Sequence, residues 1–102
     1  MPTFTWPTTR EECLLTKHTY VEGGTAIEAV SLRGEPYGRI TTWIDGLAPD
    51  EAAIKDYSEN TGVLTELLFL NIVQPPHRHV RSGFVSFPVC RINEPTLELF
   101  LF

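Results

Sequence analysis

The sequence is short of several things, and each shortage narrows its reading. It has only 2 cysteines, Cys13 and Cys90, far apart and outside any C-x-x-C pair. A disulfide between them is open to the sequence, but a cytosolic chain keeps its thiols reduced, so both are expected to be ordinary, partly buried thiols. Long apolar runs are missing. The richest stretch, Val63 to Val73, is interrupted by Thr65, Glu66 and Asn71. It falls far short of the roughly 20 residues that a membrane helix needs. The start, Met1 to Trp6, has a proline at position 2 and neither a basic region nor an apolar run. A secretory leader is therefore not expected, and the reading is a cytoplasmic protein with no membrane partner. Positive charge is scarce too: 8 Lys and Arg stand against 13 Asp and Glu, a net −5. Nucleic-acid binding wants a basic face, so this balance argues against it.

Catalytic signatures are absent as well. There is no G-x-S-x-G, no helix-borne H-E-x-x-H and no clustered Cys–His arrangement. Gly23-Gly24 lies between two strand-like segments, not between a strand and a helix, so it reads as a hairpin turn and not a phosphate loop. The sequence assigns no catalytic residue, no cofactor and no resident metal, and the expectation is a protein that is not an enzyme. A triad assembled from distant residues leaves no mark in sequence.

What is present is β-rich. A chain of 102 residues reads as one domain. Leu14 to Val21, Thr25 to Leu32 and Tyr37 to Ile44 have strand composition, separated by Glu22-Gly23-Gly24 and by Arg33-Gly34-Glu35-Pro36. In the second strand Ala26, Val30 and Leu32 are read on one side. Short turns predict an antiparallel meander. Ala52 to Lys55 reads as either a short strand or the lead-in to a helix. Asp56 and Glu59 have capping-box spacing, and Val63, Leu64, Leu67 and Leu68 fall on one helical face. Asn71 is a left-handed stop, and Pro75-Pro76 prevents continuation. The segment Pro75 to Gly83 reads as a polar loop. Phe84 to Ile92 reads as a strand, with Pro88 placing it at a sheet edge or a bulge. The expected fold is α+β: a mostly antiparallel sheet of four to five strands with one packed helix, in the order β-β-β-(β)-α-β-(β).

Three features are candidates for function. The first is acidic. Asp45, Asp50, Glu51, Asp56, Glu59 and Glu66 stand against Lys55 alone, a local balance of −5 that equals the whole net charge. Asp45, Asp50, Glu51, Glu59 and Glu66, with Tyr57, form a candidate surface for a protein partner with a basic face. Helix capping by acids is the competing account. The second is His77-Arg78-His79, which with Arg81 forms the only basic cluster. An H-x-H on a strand can turn both imidazoles to one side and hold a metal, so a metal-dependent activity at His77 and His79 is an alternative; a solvated loop is the simpler account. The third is aromatic: Phe4, Trp6, Tyr20, Tyr37, Trp43 and Tyr57 are candidates to line a binding face, with core packing as the simpler account, and with them goes the apolar tail from Leu97 to Phe102. It has to pair with the sheet or be buried in an interface, and Leu99, Phe100 and Phe102 are the candidates for self-association into a homodimer.

Several strings also occur in a recognisable order: Tyr37-Gly38-Arg39-Ile40-Thr41, Leu47-Ala48-Pro49-Asp50-Glu51-Ala52, Ile54-Lys55-Asp56-Tyr57-Ser58-Glu59-Asn60, Gly83-Phe84-Val85 and Pro88-Val89-Cys90-Arg91. Over roughly residues 30 to 92 the chain resembles a family of short uncharacterised proteins carried on bacterial conjugative elements, plasmids and prophages. The resemblance transfers no catalytic residue. It implies an accessory role in a mobile element, and by association an inhibitor of a host defence system of the anti-CRISPR or anti-restriction type. The tail after Ile92 lies outside it.

Overall fold

The computed structural model describes residues 2–102. Among them, strands β1 (Phe4–Thr5), β2 (Glu12–Thr19), β3 (Thr25–Val30) and β4 (Pro36–Arg39) form one antiparallel sheet in that spatial order. Strands β5 (Thr41–Thr42), β6 (Glu51–Ile54), β7 (Arg78–Ser82) and β8 (Val85–Arg91) form a second, in the order β5-β6-β8-β7 and also antiparallel. Helix α1 (Val63–Phe69) and the short α2 (Glu94–Glu98) complete the α+β fold.

The single sheet of four to five strands expected from sequence is thus two sheets of four. The reason lies at one residue. The β-rich string Tyr37 to Ile44 breaks at Ile40, which is fully buried. Its N–H donates to the Ile27 carbonyl at 3.0 Å, and its own carbonyl accepts from the Lys55 N–H at 2.9 Å. Before it, Arg39 pairs with Glu28 of the first sheet; after it, Thr41 pairs with Ile54 of the second. The Thr41 hydroxyl accepts the Ile27 N–H at 3.0 Å and closes the corner. Composition marks a strand but not a corner, so the string reads as continuous.

Alternation along each strand then builds the core. Cys13, Leu15, Ile27 and Ala29 of the first sheet are buried with Ala52, Ile54 and Cys90 of the second. Phe4, Val63, Leu67, Leu97 and Phe100 join the same cluster. The buried residues of β3 are Thr25, Ile27, Ala29 and Val30; of the trio grouped in the sequence reading, Val30 is buried, Ala26 is half-buried, and Leu32 lies past the strand end and is exposed. The ambiguous Ala52 to Lys55 segment belongs to strand β6 as far as Ile54, with Glu51 to Ile54 all buried and Lys55 half-buried just past the strand.

Helix α1 starts differently from the expected capping box. Asp56 reaches over a 3₁₀ turn (Ser58–Asn60), and its Oδ1 accepts from the N–H groups of Gly62 at 3.0 Å and Leu64 at 3.1 Å. Glu59 takes no part through its carboxylate. Its carbonyl accepts from Trp6 Nε1 and from the Thr8 hydroxyl, each at 3.1 Å. Asn71, at φ 61°, sits in the left-handed conformation just past the helix, as its residue type suggests.

The segment expected as a polar loop from Pro75 to Gly83 carries β7. A two-residue turn, Gly83-Phe84, joins it to β8 through the pair Ser82↔Val85. Gly83 supplies φ 63°, which a hairpin turn of this length needs and most side chains resist. Strand β8 is interior and not at an edge, although it contains Pro88. Its ladder with β6 stops at Ala53↔Val89, one residue short of the proline, so the missing N–H breaks no bond there.

The tail is not a regular strand. Helix α2, with Pro95 in its first turn, carries Leu97 into the core. Leu101 then makes a parallel bridge to Leu15, flanked by Leu15 N–H to the Phe100 carbonyl at 2.9 Å and Phe102 N–H to the Leu15 carbonyl at 2.8 Å. Phe102 lays its ring on Gly34, where a Cβ would stand 2.5 Å from Cζ. Phe100 is buried within its own chain, while Leu99 and Phe102 are 61% and 64% exposed.

Phe100→Ala should therefore destabilise the fold by about 3 kcal/mol through loss of buried surface and a residual cavity. Leu99→Ala should change stability by less than about 0.5 kcal/mol. Urea denaturation of the two variants checks the contrast.

Candidate functional site

The acidic segment is the place to begin, because the fold divides its members. Residues 45–50 run over the outer face of the second sheet, where Ile44 and Leu47 pack on Ala53, Phe87 and Val89. Glu51 follows directly and heads β6. Its side chain is on the same face but only 5% exposed. A carboxylate so placed needs partners. Oε1 accepts from the Ala48 N–H at 2.8 Å and from Arg78 Nη2 at 2.7 Å. Oε2 accepts from Arg78 Nε at 3.3 Å and meets His77 Nε2 at 2.5 Å. Arg78 Nη2 also donates to the Gly46 carbonyl at 3.1 Å. Glu51 and Arg78 together tie the loop to the sheet.

A backbone irregularity makes this possible. Neighbouring strand residues normally point to opposite faces. Arg78 pairs with Val89, yet the His77 N–H also donates to the Val89 carbonyl, at 3.2 Å. Two residues face one, which is a β-bulge. The bulge lets both His77 and Arg78 reach the same carboxylate. It also undoes the expected H-x-H geometry. His77 turns to Glu51, while His79 lines a groove with Ile54, Leu64 and Pro88. Among the described residues no group of three His, Cys, Asp or Glu side chains is placed to hold a metal ion.

The electrostatics follow from these bonds. The hydrogen bond from Arg78 is the largest cause holding the Glu51 carboxyl down, to a pKa of about 2; the Ala48 N–H and His77 act in the same direction, and burial opposes them. Arg78 is shifted up by the same partner. Burial pushes the thiols of Cys13 and Cys90 up to about 11 each, so both stay protonated at neutral pH and neither is poised as a nucleophile. Glu11 adds to the effect at Cys13.

The other residues of the acidic surface are scattered in role. Asp50 is exposed and pairs with Arg91 Nη1 at 3.1 Å. Asp45 and Glu59 are exposed, Glu66 on α1 is half-buried, and none of the three forms an ion pair among the described residues. Tyr57 is 41% exposed and sets its ring edge-on against Phe87, with centroids 6.1 Å apart. Glu51 thus leaves the surface on which it was placed, because its carboxylate serves the interior. Trp43, a candidate from sequence, is 38% exposed, whereas sequence reasoning missed two exposed aromatics, Phe69 at 81% and Phe84 at 99%. The available signal for Phe84 was the glycine before it, which marks a turn and so places an apolar side chain in water.

No helix among the described residues is long and apolar enough to cross a membrane. The chain matches no protein-family model, no curated protein and no solved structure.

Glu51 titrates low in the folded state. Its contribution to stability is therefore complete above the ordinary carboxylate value near 4.5 and is lost as pH falls toward about 2. Glu51→Gln should lower stability at neutral pH by about 2 kcal/mol, since it replaces a buried charged acceptor of three partners by a neutral amide, one of whose atoms cannot accept. It should also flatten the dependence between pH 5 and pH 2. Urea midpoints measured across that range test both expectations.

Proposed function

We propose that the protein is a non-catalytic accessory protein of a mobile genetic element and acts by stoichiometric contact with a protein partner. Its sharpest form is an inhibitor of a host defence system, of the anti-CRISPR or anti-restriction type, working in the cytoplasm. The observation that carries the binding reading is the exposure of three aromatic side chains, Trp43, Tyr57 and Phe84, on the second sheet and its connections. Aromatic side chains are the usual anchors of protein interfaces, and their exposure in a small domain has no benefit to folding. Exposed Asp45, Asp50 and Glu59 lie in the same stretch of chain. They favour a partner with a basic surface. The mobile-element setting rests on the resemblance of residues 30 to 92 alone.

A second reading is self-association through the tail, favoured by the exposure of Leu99 and Phe102. Phe100 does not belong to that surface, being held in the core.

Capture of a partner by the full chain should weaken about ten-fold or more when Asp45 and Glu59 are both reversed to Lys, and again with Tyr57→Ala, with thermal unfolding little changed. Equal capture by all these variants removes the proposed surface. Failure to capture any specific partner removes the binding reading. Light scattering on Leu99→Asp and Phe102→Asp decides the second reading: a dimer that dissociates supports it, and a monomer in every case ends it.

A further inference from the structure

The hairpin of β7 and β8 differs from the rest of the chain in charge. No Asp or Glu occurs between Glu66 and Glu94, while Arg78, Arg81 and Arg91 all lie there with His77 and His79. Arg78 and Arg91 are engaged by Glu51 and Asp50, which leaves Arg81 and His79 outside any ion pair among the described residues. Both sit on β7, an edge strand.

Strand β7 is also the most complete free edge. β1 and β5 have two residues each, and β4 has four and begins on a proline. The five residues of β7 contain neither proline nor glycine. Register shows which of its backbone groups are free. His79 stands opposite Pro88. Proline has no N–H, so that pair exchanges no bonds, and the bonded pairs are Arg78↔Val89, Val80↔Phe87 and Ser82↔Val85. The N–H and C=O groups of His79 and Arg81 therefore point away from β8. Neither residue makes another backbone hydrogen bond among the described residues. Beside this edge lies a groove of about 320 Å³, lined by Ile54, Asp56, Tyr57, Leu64, His79 and Pro88, with Asp56 Oδ1 already taken up by the N–H groups of Gly62 and Leu64. At the end of the edge stands Phe84, 99% exposed.

We propose that β7 accepts an extended acidic segment of the partner protein as an added strand, with one apolar side chain of that segment in the groove and Phe84 as a clamp at its end. The inference rests on the reading of this chain as a protein-binding module. Strand addition takes its affinity from main-chain bonds and its specificity from pockets for alternate side chains, and both elements are present here. Charge selects the occupant. A second copy of β7 in antiparallel register about Val80 would place Arg81 against the other copy's His79 and Arg78 against its Ser82. Such a pairing offers Arg81 an imidazole and no carboxylate, so it leaves the one unpaired arginine of the edge without an opposite charge. A strand bearing Glu or Asp opposite Arg81 supplies that charge.

The test uses the full chain, isotopically labelled, with a soluble decapeptide of alternating Glu and Thr around one central Leu, and its Lys counterpart. The acidic peptide should slow amide exchange at His79 and Arg81 by about ten-fold and shift the resonances of Ile54 and Leu64. The basic peptide should do neither. Arg81→Glu should remove the effect while the amides of β6 and β8 keep their protection. Equal effects of the two peptides, or protection confined to other elements, overturn the proposal. So does protection that rises with protein concentration alone, which marks a second copy, or protection by a DNA duplex. Partner capture that survives Arg81→Glu but is lost on reversal of Asp45 and Glu59 ends this inference and leaves the binding reading in place. Peptide protection at β7 without any captured partner does the opposite.

Discussion

A carboxylate taken out of water has to be surrounded by donors, and the second half of this molecule is arranged around that requirement. Glu51 sits at the start of β6 with its side chain under the 45–50 loop. Arg78 and His77 reach it from β7, and the Ala48 N–H reaches it from the loop. Removing Arg78 would leave the buried Glu51 carboxylate short of donors, which is far costlier than the pair is stabilising, whereas the cations themselves keep contact with water. The bulge at His77 and Arg78 belongs to the same requirement, since a regular strand could not turn two consecutive side chains to one carboxylate. Loop, edge strand and hairpin are therefore fixed relative to one another by one polar cluster. The apolar contacts of Ile44 and Leu47 with Phe87 and Val89 supply the packing beneath it.

The class of the fold was legible in the sequence, and so were the hairpin at Gly23-Gly24 and the helix stop at Asn71. These depend on local chemistry that a few adjacent residues express. What was not legible depends on partners distant in the chain. The corner at Ile40 exists because Ile27 and Lys55 both bond to it. The burial of Glu51 exists because Arg78, 27 positions away, faces it. The β7 segment, His- and Arg-rich and preceded by two prolines, reads as a loop until its pairing with β8 is known. Pro88 misleads for the same reason: a proline disqualifies an inner strand only if its N–H faces a continuing ladder. The tail was read correctly as needing cover, but Leu15 and Gly34, which provide it, are more than 60 positions away.

The acidic segment shows how composition can overstate a surface. Six acids lie in one stretch, but Glu51 is interior, Asp56 caps α1 and Asp50 faces Arg91. Asp45 and Glu59 keep the field that the net charge suggests. The cations that meet the engaged acids come from β7 and β8, so the charge asymmetry of the sequence is partly cancelled in the folded chain and partly displaced to the distal end of the hairpin. Features aimed at a partner are consequently those that the fold does not itself use: aromatic rings in water, an open strand edge, and charges of both signs at separate places.

Ile40 carries a further consequence. One residue serves as the last bonded position of the first sheet and the first of the second, with no linker between them. The two sheets therefore share a common frame of reference along the chain. A single residue inserted or deleted there would move β5 out of phase with β6 while β4 stayed in phase with β3, and every side chain on β5 would change face. The connection between β2 and β3 is constrained differently: Val21 stands almost wholly in solvent, but Gly23 and Gly24 lie close against Leu47. The spacing from Arg39 to Thr41 is thus held by both sheets at once, while the β2–β3 turn answers to a single loop.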